Sequence, residues 1–243
     1  WDLAIAPVFD AVSAKRVVEI GALRGENTIK MLEHMAADAE LHVIDPLPAF
    51  DPAEHEQQFP GRYIFHRDLS LNALPGIPPV DVALVDGDHN WYTVYHELKQ
   101  IAATSTEAGE PLPVFICHDV GWPYGRRDLY YAPEQIPEEH RQPYARKGIR
   151  PGLTEVVLGD GGMNPTMCNA IVEGGPRNGV MTGIDDFVAE HPEPLRVVVL
   201  PIYFGLAIIA SEERLERHPE LRAVLDRLES SEGRYDLMEL AED

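Results

Sequence analysis

The fold of this 243-residue chain is decided by the stretch Val17-Val18-Glu19-Ile20-Gly21-Ala22-Leu23-Arg24-Gly25-Glu26-Asn27-Thr28. Residues 17–20 predict a buried β-strand with an acid near its end. Two glycines then turn the chain directly into a helix, and glycine suits such a turn because it adopts backbone conformations that other residues avoid. A strand, a tight turn and a helix in direct succession are typical of α/β proteins.

Strand and helix patterns alternate through the first half of the chain, as expected for a parallel sheet that is covered by helices on both faces. Further along, two predicted strands are separated by only three residues, which is too short for a crossover helix, so they should form an antiparallel hairpin. The predicted strands are 17–20, 41–45, 63–66, 80–85, 113–117, 195–200 and 204–210. The predicted helices are 26–37, 91–102 and 184–190, with a polar helical tail at 212–240.

Composition narrows the possible functions. The apolar and charged fractions, 44% and 25%, are ordinary for a globular protein. The formal charge of −21 would repel a polyphosphate backbone, so nucleic acid is an unsuitable partner. The two cysteines, Cys117 and Cys168, are too few for a disulfide framework and suit a reducing cytoplasm. No apolar run reaches the ~18 residues that a membrane span needs.

The glycine turn differs from a dinucleotide-binding turn in one position. That motif, G-x-G-x-x-G, needs a middle glycine where the backbone approaches a pyrophosphate, but Ala22 and Leu23 stand after Gly21. The remaining pattern, E-x-G-x-x-x-G, resembles motif I of the class I S-adenosylmethionine (SAM) methyltransferases. The resemblance extends over residues 15–120. It implies one domain over 1–243 with a Rossmann-like, seven-stranded sheet, mostly parallel with an antiparallel terminal hairpin strand.

The same resemblance assigns the cofactor-binding residues. It implies that Glu19 lies near the methionine amine of SAM, and that Gly21 and Gly25 let the backbone approach the cofactor. Asp45, after the second strand, would accept both ribose hydroxyls, and Asp68 would meet the adenine edge. Each acid taken alone could instead be a helix cap or a turn residue. Their joint placement at successive strand ends favours a ligand site, because ligands bind outside the carboxyl ends of such strands.

A second group of polar residues follows the fourth and fifth predicted strands. The motif Asp86-Gly87-Asp88-His89 comes after one strand and His118-Asp119 ends the other. These strands are neighbours in the resembled topology, so Asp86, Asp88, His118 and Asp119 are expected to meet. Carboxylate oxygens favour a hard cation such as Mg²⁺ over zinc.

The second group resembles the metal-dependent O-methyltransferases, especially the sugar-modifying members associated with macrolide and related natural products. In that branch an Asp and a later acidic pair hold the metal, and a His three residues beyond the first Asp is the base. The resemblance therefore implies His89 as the base and Asp86, His118 and Asp119 as metal ligands, with Asp86 also at the cofactor. His118 departs from the acidic pair. Purely structural roles for His89 and His118 are the alternative.

Residues 120–180 differ from the rest of the chain because they are rich in glycine, proline and aromatic residues and show little periodicity. We expect this insertion to form a lid that binds the methyl acceptor, since long irregular segments are usually functional or disordered. Its aromatic residues are of the kind that stack on sugars. A basic patch in it suits an anionic or polyhydroxylated acceptor, or equally a subunit interface in a homo-oligomer. The aromatic residues are Trp122, Tyr124, Tyr130, Tyr131 and Tyr144, and the patch is Arg141, Arg146, Lys147 and Arg150.

The sequence thus predicts a cytoplasmic SAM-dependent O-methyltransferase that uses Mg²⁺ and acts on a hydroxyl of a sugar, an oligosaccharide or a glycosylated small molecule. Three alternatives stay open. A catechol-type phenolic O-methyltransferase would use the same metal site. An NAD-dependent oxidoreductase would share the first turn and Asp45 but would not need the later clusters. A noncatalytic SAM-fold binding protein would keep the core alone.

Overall fold

The computed structural model describes residues 1–242, which form a central seven-stranded sheet and a separate three-stranded sheet. The strands, numbered along the chain, are β1 (Arg16–Ile20), β2 (Glu40–Ile44), β3 (Tyr63–His66), β4 (Val82–Val85), β5 (Val114–His118), β6 (Leu129–Tyr130), β7 (Tyr144–Arg146), β8 (Cys168–Ala170), β9 (Leu195–Leu200) and β10 (Leu206–Ser211). The helices are α1 (Ile5–Val12), α2 (Glu26–His34), α3 (Pro52–Gln58), α4 (Ser70–Ala73), α5 (Trp91–Ala108), α6 (Val180–Glu190), α7 (Glu212–Arg217), α8 (Pro219–Glu229) and α9 (Ser231–Glu242).

The central sheet has the strand order β3-β2-β1-β4-β5-β10-β9. Strands β1 to β5 run parallel to one another, and β10 runs antiparallel to both β5 and β9. The α/β fold with a mostly parallel seven-stranded sheet and a terminal antiparallel hairpin is therefore confirmed. Because the chain crosses outward in both directions from β1 and β4, the carboxyl ends of β1, β2, β4 and β5 meet at one edge of the sheet.

Both faces of the sheet are buried, which explains the continuous apolar runs of its strands. Successive side chains of a strand point to opposite faces, so Val17 and Val18 are both fully buried but belong to different cores. The Val17 core includes Met31 of α2 and Leu225 of α8. The Val18 core includes Leu98 of α5 and residues of α6. This arrangement confirms the helices on both faces.

The structure differs from the sequence prediction mainly outside the sheet. The expected helical tail is divided into α7, α8 and α9, and the first break comes before Pro219, whose ring has no N–H for a helix interior. Helices α1, α3 and α4 are additional, and α6 begins four residues before its predicted start. Short helices of this kind give too few turns for a clear apolar period.

The segment between β5 and α6 folds into the small antiparallel sheet β6-β8-β7. Arg127 is 1% exposed and donates to the carbonyls of Ala170 and Thr154, with Glu173 3.5 Å away as its ionic partner. These contacts hold distant parts of the insertion together, so the segment is ordered despite its glycine and proline content. Strands of two or three residues have no detectable alternation, which is why the sequence predicted only irregular structure here.

None of the helices formed by residues 1–242 combines the length and the apolar character that a bilayer crossing needs.

Candidate active site

Two histidines and two aspartates form a compact cluster where β4 and β5 end. Nδ1 of His118 lies 3.2 Å from Oδ1 of Asp86 and 3.2 Å from Oδ2 of Asp119. Nε2 of His89 lies 2.8 Å from the same oxygen of Asp119 and 3.6 Å from the same oxygen of Asp86. One oxygen of each carboxylate therefore faces both imidazole rings.

In this cluster the attraction between the carboxylates and the imidazoles outweighs the effect of burial on the pKa values of the histidines. Burial alone would lower the pKa of His89, but contacts with Asp119 and Asp86 raise it to about 9. Burial likewise opposes the charge on His118, and the same two carboxylates raise its pKa to about 10. For Asp119, the two histidines overcome desolvation and hold the pKa well below its usual range. At neutral pH the cluster is thus a set of paired opposite charges.

The cluster contains a donor set that fits a divalent cation. Asp86, His118 and Asp119 each offer one ligand atom, and these atoms lie within 4.8 Å of one another. Two carboxylates and one imidazole suit a divalent metal, and the imidazole nitrogen extends the choice from Mg²⁺ toward transition ions. Asp119 has a left-handed backbone conformation with φ of 58°, which is uncommon for a residue other than glycine. Backbone strain of this kind is found where side-chain placement matters.

Asp88 does not join this cluster, contrary to the expectation that all four residues would meet. Its Oδ2 accepts from the Thr93 hydroxyl at 2.9 Å, and its Oδ1 accepts from the backbone N–H of His89 at 3.0 Å. Both contacts fix the start of α5. Asp88 is kept from the cluster because its two oxygens are engaged by these local donors.

His89 is held from the other side by two tyrosines of the insertion. The hydroxyl of Tyr131 lies 3.1 Å from Nδ1 of His89, and the ring of Tyr124 stacks on the imidazole with centroids 5.7 Å apart. Nε2 of His89 is buried and does not reach hydrogen-bond geometry, although Asp119 is close. The ring is therefore fixed in place with one nitrogen directed at the acidic cluster.

Glu19 is a buried acid next to this cluster. It is 3% exposed, and the hydroxyl of Thr28 donates to one of its oxygens. Burial raises the pKa of Glu19 to about 8, and the charged neighbours that act on it, Asp86 and Asp45, are both acidic. A carboxyl group in such surroundings is stabilised by a cation from a ligand.

The two glycines of the β1–α2 turn are required by contacts within the chain. Gly21 has φ of 85°, and a Cβ there would lie 2.3 Å from the carbonyl oxygen of Asp86. Gly25 has φ of 75°, and a Cβ there would lie 2.6 Å from Cε1 of His55. His55 also stacks on Phe50, with centroids 4.5 Å apart. Aromatic rings thus cover the turn at Gly25, while Gly21 permits close packing of β1 against the loop after β4.

Asp45 lies at the end of β2 as expected, but its oxygens are largely occupied. Oδ2 accepts from the N–H groups of Ala22 and Leu23 at 3.0 and 2.9 Å, and Oδ1 accepts from Leu47 at 2.8 Å. A carboxylate has roughly four acceptor positions, so about one is left. Asp45 therefore ties β2 to the glycine turn, and accepting two ribose hydroxyls would require some of these N–H groups to move.

Asp68 is exposed and stands at the start of α4. Its Oδ1 accepts from the backbone N–H of Leu69 at 2.7 Å and from Nδ2 of Asn72 at 2.9 Å. These contacts are those of a residue that stabilises a helix start. The next hydroxyl side chain, Ser70, is buried and was not singled out by the sequence.

Two buried acids near the site were also missed. Asp128 is fully buried and accepts from the N–H groups of Trp91 and Gly179 and from the Tyr130 hydroxyl. Glu97 is fully buried in α5, and neither of its oxygens has a hydrogen-bond partner among residues 1–242. The sequence held a signal for Glu97, since it lies at helical spacing between apolar residues of α5. Asp128 gave no such signal because its partners are distant in sequence.

Comparison with known proteins agrees with these observations. Residues 18–120 match the family model of a methyltransferase domain. The O-methyltransferase from Bacillus cereus in complex with SAH is 13% identical with a TM-score of 0.51, and the alignment covers 85% of this chain and 78% of that one. The O-methyltransferase TomG from Streptomyces achromogenes, solved with SAM, is 15% identical with a TM-score of 0.49 over 86% and 82% of the two chains. A search of curated proteins found no match.

The family model thus identifies a methyltransferase domain within residues 18–120, and the Bacillus cereus structure shares the fold of this chain. At this level of identity the structural likeness concerns the fold. The matched segment begins in β1 and ends just after Asp119, so it spans both the glycine turn and the acid and histidine cluster.

Proposed function

We propose that the protein transfers the methyl group of SAM to a hydroxyl of a sugar, an oligosaccharide or a glycosylated small molecule, with a divalent metal and His89 as base. The observation that carries this proposal is the position of the buried Glu19 carboxyl beside the cluster of Asp86, His89, His118 and Asp119 at one edge of the sheet. The residue proposed for the cationic amine and the residues that would hold a metal are therefore neighbours.

In this proposal Glu19 binds the ammonium group of SAM, and Gly21 and Gly25 shape the turn beneath the cofactor. The Asp45 carboxylate accepts from the N–H groups of that turn and thereby positions it. Its remaining acceptor position is offered to the ribose. Asp68 and the buried Ser70 lie where the adenine is expected. Asp86 is shared between the cofactor side and the metal side of the site.

Asp86, His118 and Asp119 are the residues that would hold the metal. A bound divalent cation supplies Lewis-acid chemistry, which lowers the pKa of a coordinated hydroxyl. The remaining requirements are met by the chain, since methyl transfer from a sulfonium needs in-line approach and a deprotonated nucleophile. His89 keeps its proton while Asp86 and Asp119 both face it. It can therefore accept a proton only when those carboxylates are engaged elsewhere.

The acceptor class is supported by exposed tyrosines of the insertion, one of which, Tyr131, contacts His89. Tyr131 is 55% exposed and Tyr144 is 39% exposed, so both can contact a ligand. Tyr124 and Tyr130 are buried and present no open face to a sugar. Tyr124 nevertheless acts on the site by stacking on His89.

We further propose that the chain forms a homo-oligomer in the cytoplasm. Arg146 and Lys147 of the expected basic patch use their side chains on the carbonyls of Thr166 and Leu158, inside the insertion. The net charge of −21 resides outside residues 120–180, so the electrically neutral insertion can contact the acidic core of another copy without net repulsion. The two cysteines are free and buried, in keeping with a reducing compartment.

Transfer of label from [methyl-³H]SAM tests the proposal. The acceptors are neutral pyranosides, glycosylated aromatics and catechols, each with Mg²⁺, with Mn²⁺ and with EDTA. We expect transfer to a glycoside, loss of transfer with EDTA, and no transfer by His89→Ala, which still binds SAH. Transfer to catechols alone would replace the sugar acceptor with a phenolic one. Undiminished transfer by His89→Ala would remove that residue as the base.

A further inference from the structure

A cavity of about 400 Å³ lies between α5, α6 and the insertion, away from the acid and histidine cluster. This volume is within the range of roughly 300 to 1,000 Å³ that is common for small-molecule sites. Trp91 forms its wall and stands two residues beyond His89 in the chain. The cavity is therefore near the proposed site of methyl transfer but is built from different side chains.

The wall of the cavity is aromatic. The ring of Tyr95 stacks on the indole of Trp91 with centroids 5.0 Å apart and planes 10° from parallel. His140 of the insertion lies 5.7 Å from the same indole, and Nδ1 of His140 is buried without a hydrogen-bond partner among the described residues. His96 completes the wall at 6.2 Å. Trp91 itself is only 4% exposed, so the partly exposed rings of Tyr95, His96 and His140 form the surface that can pack against the apolar face of a small ring compound.

The rim of the cavity offers hydrogen-bond acceptors. Asp186 accepts from Nε1 of Trp91 at 2.7 Å, and Glu190 accepts from the hydroxyl of Tyr95 and from Lys99. Each carboxylate uses one oxygen in these contacts, which leaves the other to accept from a ligand. Nδ1 of His96 donates to the carbonyl of Tyr92 at 2.7 Å, because a carbonyl can only accept, and this contact fixes the ring at the cavity.

Arg177 supplies hydrogen-bond donors on the same rim. Its guanidinium carbon lies 5.0 Å from the centroid of Trp91, and no hydrogen bond or ion pair among residues 1–242 uses its side chain. Gln142 donates to the carbonyls of Pro176 and Arg177 at 3.1 and 2.8 Å, which fixes the loop above the cavity. The N–H groups of the Arg177 guanidinium are thus positioned over Trp91 and available to donate hydrogen bonds to a ligand.

The charges of the rim select a neutral ligand. Arg177 and Lys99 balance Asp186 and Glu190, so neither an anion nor a cation gains from the net charge of the cavity. A compound with several hydroxyls satisfies both the acceptors and the donors, since each hydroxyl donates and accepts. A pyranose ring combines such hydroxyls with an apolar face that matches the aromatic wall.

We propose that this cavity binds a neutral pyranose unit of the acceptor, distinct from the unit that is methylated. That the bound sugar belongs to a methyl acceptor rests on the proposed function, whereas binding of the sugar to the cavity is independent of SAM. The cavity then sets which glycosides are accepted, because a second sugar unit is anchored on α5, α6 and the insertion while the first reaches His89.

The test follows the indole N–H of Trp91 by NMR in protein labelled with ¹⁵N-tryptophan. The chain has three tryptophans, so three indole signals are expected, and Trp91→Phe assigns one of them. The probes are methyl glucopyranoside, glucosamine and glucuronate, which share a ring but are neutral, cationic and anionic. We expect methyl glucopyranoside to shift the Trp91 signal in a saturable way, and the charged probes to do so more weakly.

Arg177→Ala should weaken binding of methyl glucopyranoside roughly fivefold, as expected for one lost hydrogen bond. Arg126→Ala is the matched control, because Arg126 contacts the neighbouring acid Asp185 of α6 outside the cavity. Equal effects of the two variants would overturn the proposal. So would equal binding of all three probes, a shift confined to Trp122, or a Trp91 signal that responds only to protein concentration, which would indicate a subunit interface. SAH binding is measured separately, so failure of the sugar site and failure of the proposed function are distinguishable.

Discussion

The hydroxyl of Tyr131 lies 3.1 Å from Nδ1 of His89, which places a residue of the insertion in direct contact with the proposed base. The other nitrogen of that ring faces Asp119 at 2.8 Å. The insertion thus determines how His89 is oriented toward the acidic cluster. A change of the insertion is therefore expected to affect chemistry as well as acceptor binding.

Tyr131→Phe should lower kcat for methyl transfer roughly fivefold to tenfold, since one hydrogen bond that orients the base is lost. The affinity for SAH should stay the same because Tyr131 is on the acceptor side. Steady-state kinetics with labelled SAM measure the first quantity and calorimetry the second. Tyr235→Phe is the control, since Tyr235 is an exposed tyrosine of α9, outside the insertion. An effect on KM alone would mean that Tyr131 only contacts the acceptor.

Asp86→Asn and Asp119→Asn should each weaken Mn²⁺ binding by at least about tenfold, because a carboxylate ligand is replaced by a neutral amide. Binding is measured by the loss of the free Mn²⁺ signal in electron paramagnetic resonance. Asp88→Asn is expected to retain Mn²⁺ binding, since its carboxylate serves the start of α5. A metal site at this cluster is refuted if all three variants bind as the unchanged protein does.

The affinity for SAH should rise with pH up to about 8. Glu19 has its pKa raised to about 8 by burial, but pairing with the ligand's ammonium group requires the carboxylate. Below that pH, binding must displace about one proton, so affinity falls by up to about tenfold for each pH unit. Calorimetry in buffers of different ionisation enthalpy measures the displaced proton. Glu19→Gln should bind weakly and without this proton release, and an unchanged release would exclude Glu19.

Glu97 should make the unliganded protein less stable as pH rises. Burial raises the pKa of Glu97 to about 8, whereas in the unfolded chain it titrates near the ordinary glutamate value of 4.5. The folded state therefore holds a proton that the unfolded chain loses between these values, and the free energy of unfolding falls across that window. Urea unfolding from pH 5 to 8 measures the slope. In Glu97→Gln this dependence of the unfolding free energy on pH should be smaller by the equivalent of about one proton. An identical slope in the two proteins would contradict the assignment.

Asp128→Asn should lower the free energy of unfolding by about 2 kcal/mol, because a buried acceptor of three hydrogen bonds loses acceptor positions. The Asp128 carboxylate links three elements, namely the start of α5, β6 and the start of α6, so the substitution weakens all three contacts. Chemical denaturation measures it, with Asp185→Asn on the surface of α6 as the control. A change of similar size in both variants would show that Asp128 has no special structural role.

The sheet could be predicted because its strands are buried on both faces, as Val17 and Val18 show. The meeting of Asp86 and Asp119 could also be predicted, since parallel strands end at the same edge. The direction in which individual side chains point could not be predicted from the sequence. Asp88 turns to donors at the start of α5, and Asp45 turns to donors of the glycine turn, which tertiary structure brings to it. The three-stranded sheet of the insertion was missed because its strands are too short for periodicity.

The central claim is that the glycine turn binds SAM, and calorimetric titration of the protein with SAH and with NAD tests it most directly. The account predicts one SAH bound per chain, with affinity lost in Glu19→Gln, and no binding of NAD. Binding of NAD without binding of SAH or SAM would contradict it and would make the protein a dinucleotide-binding α/β protein instead.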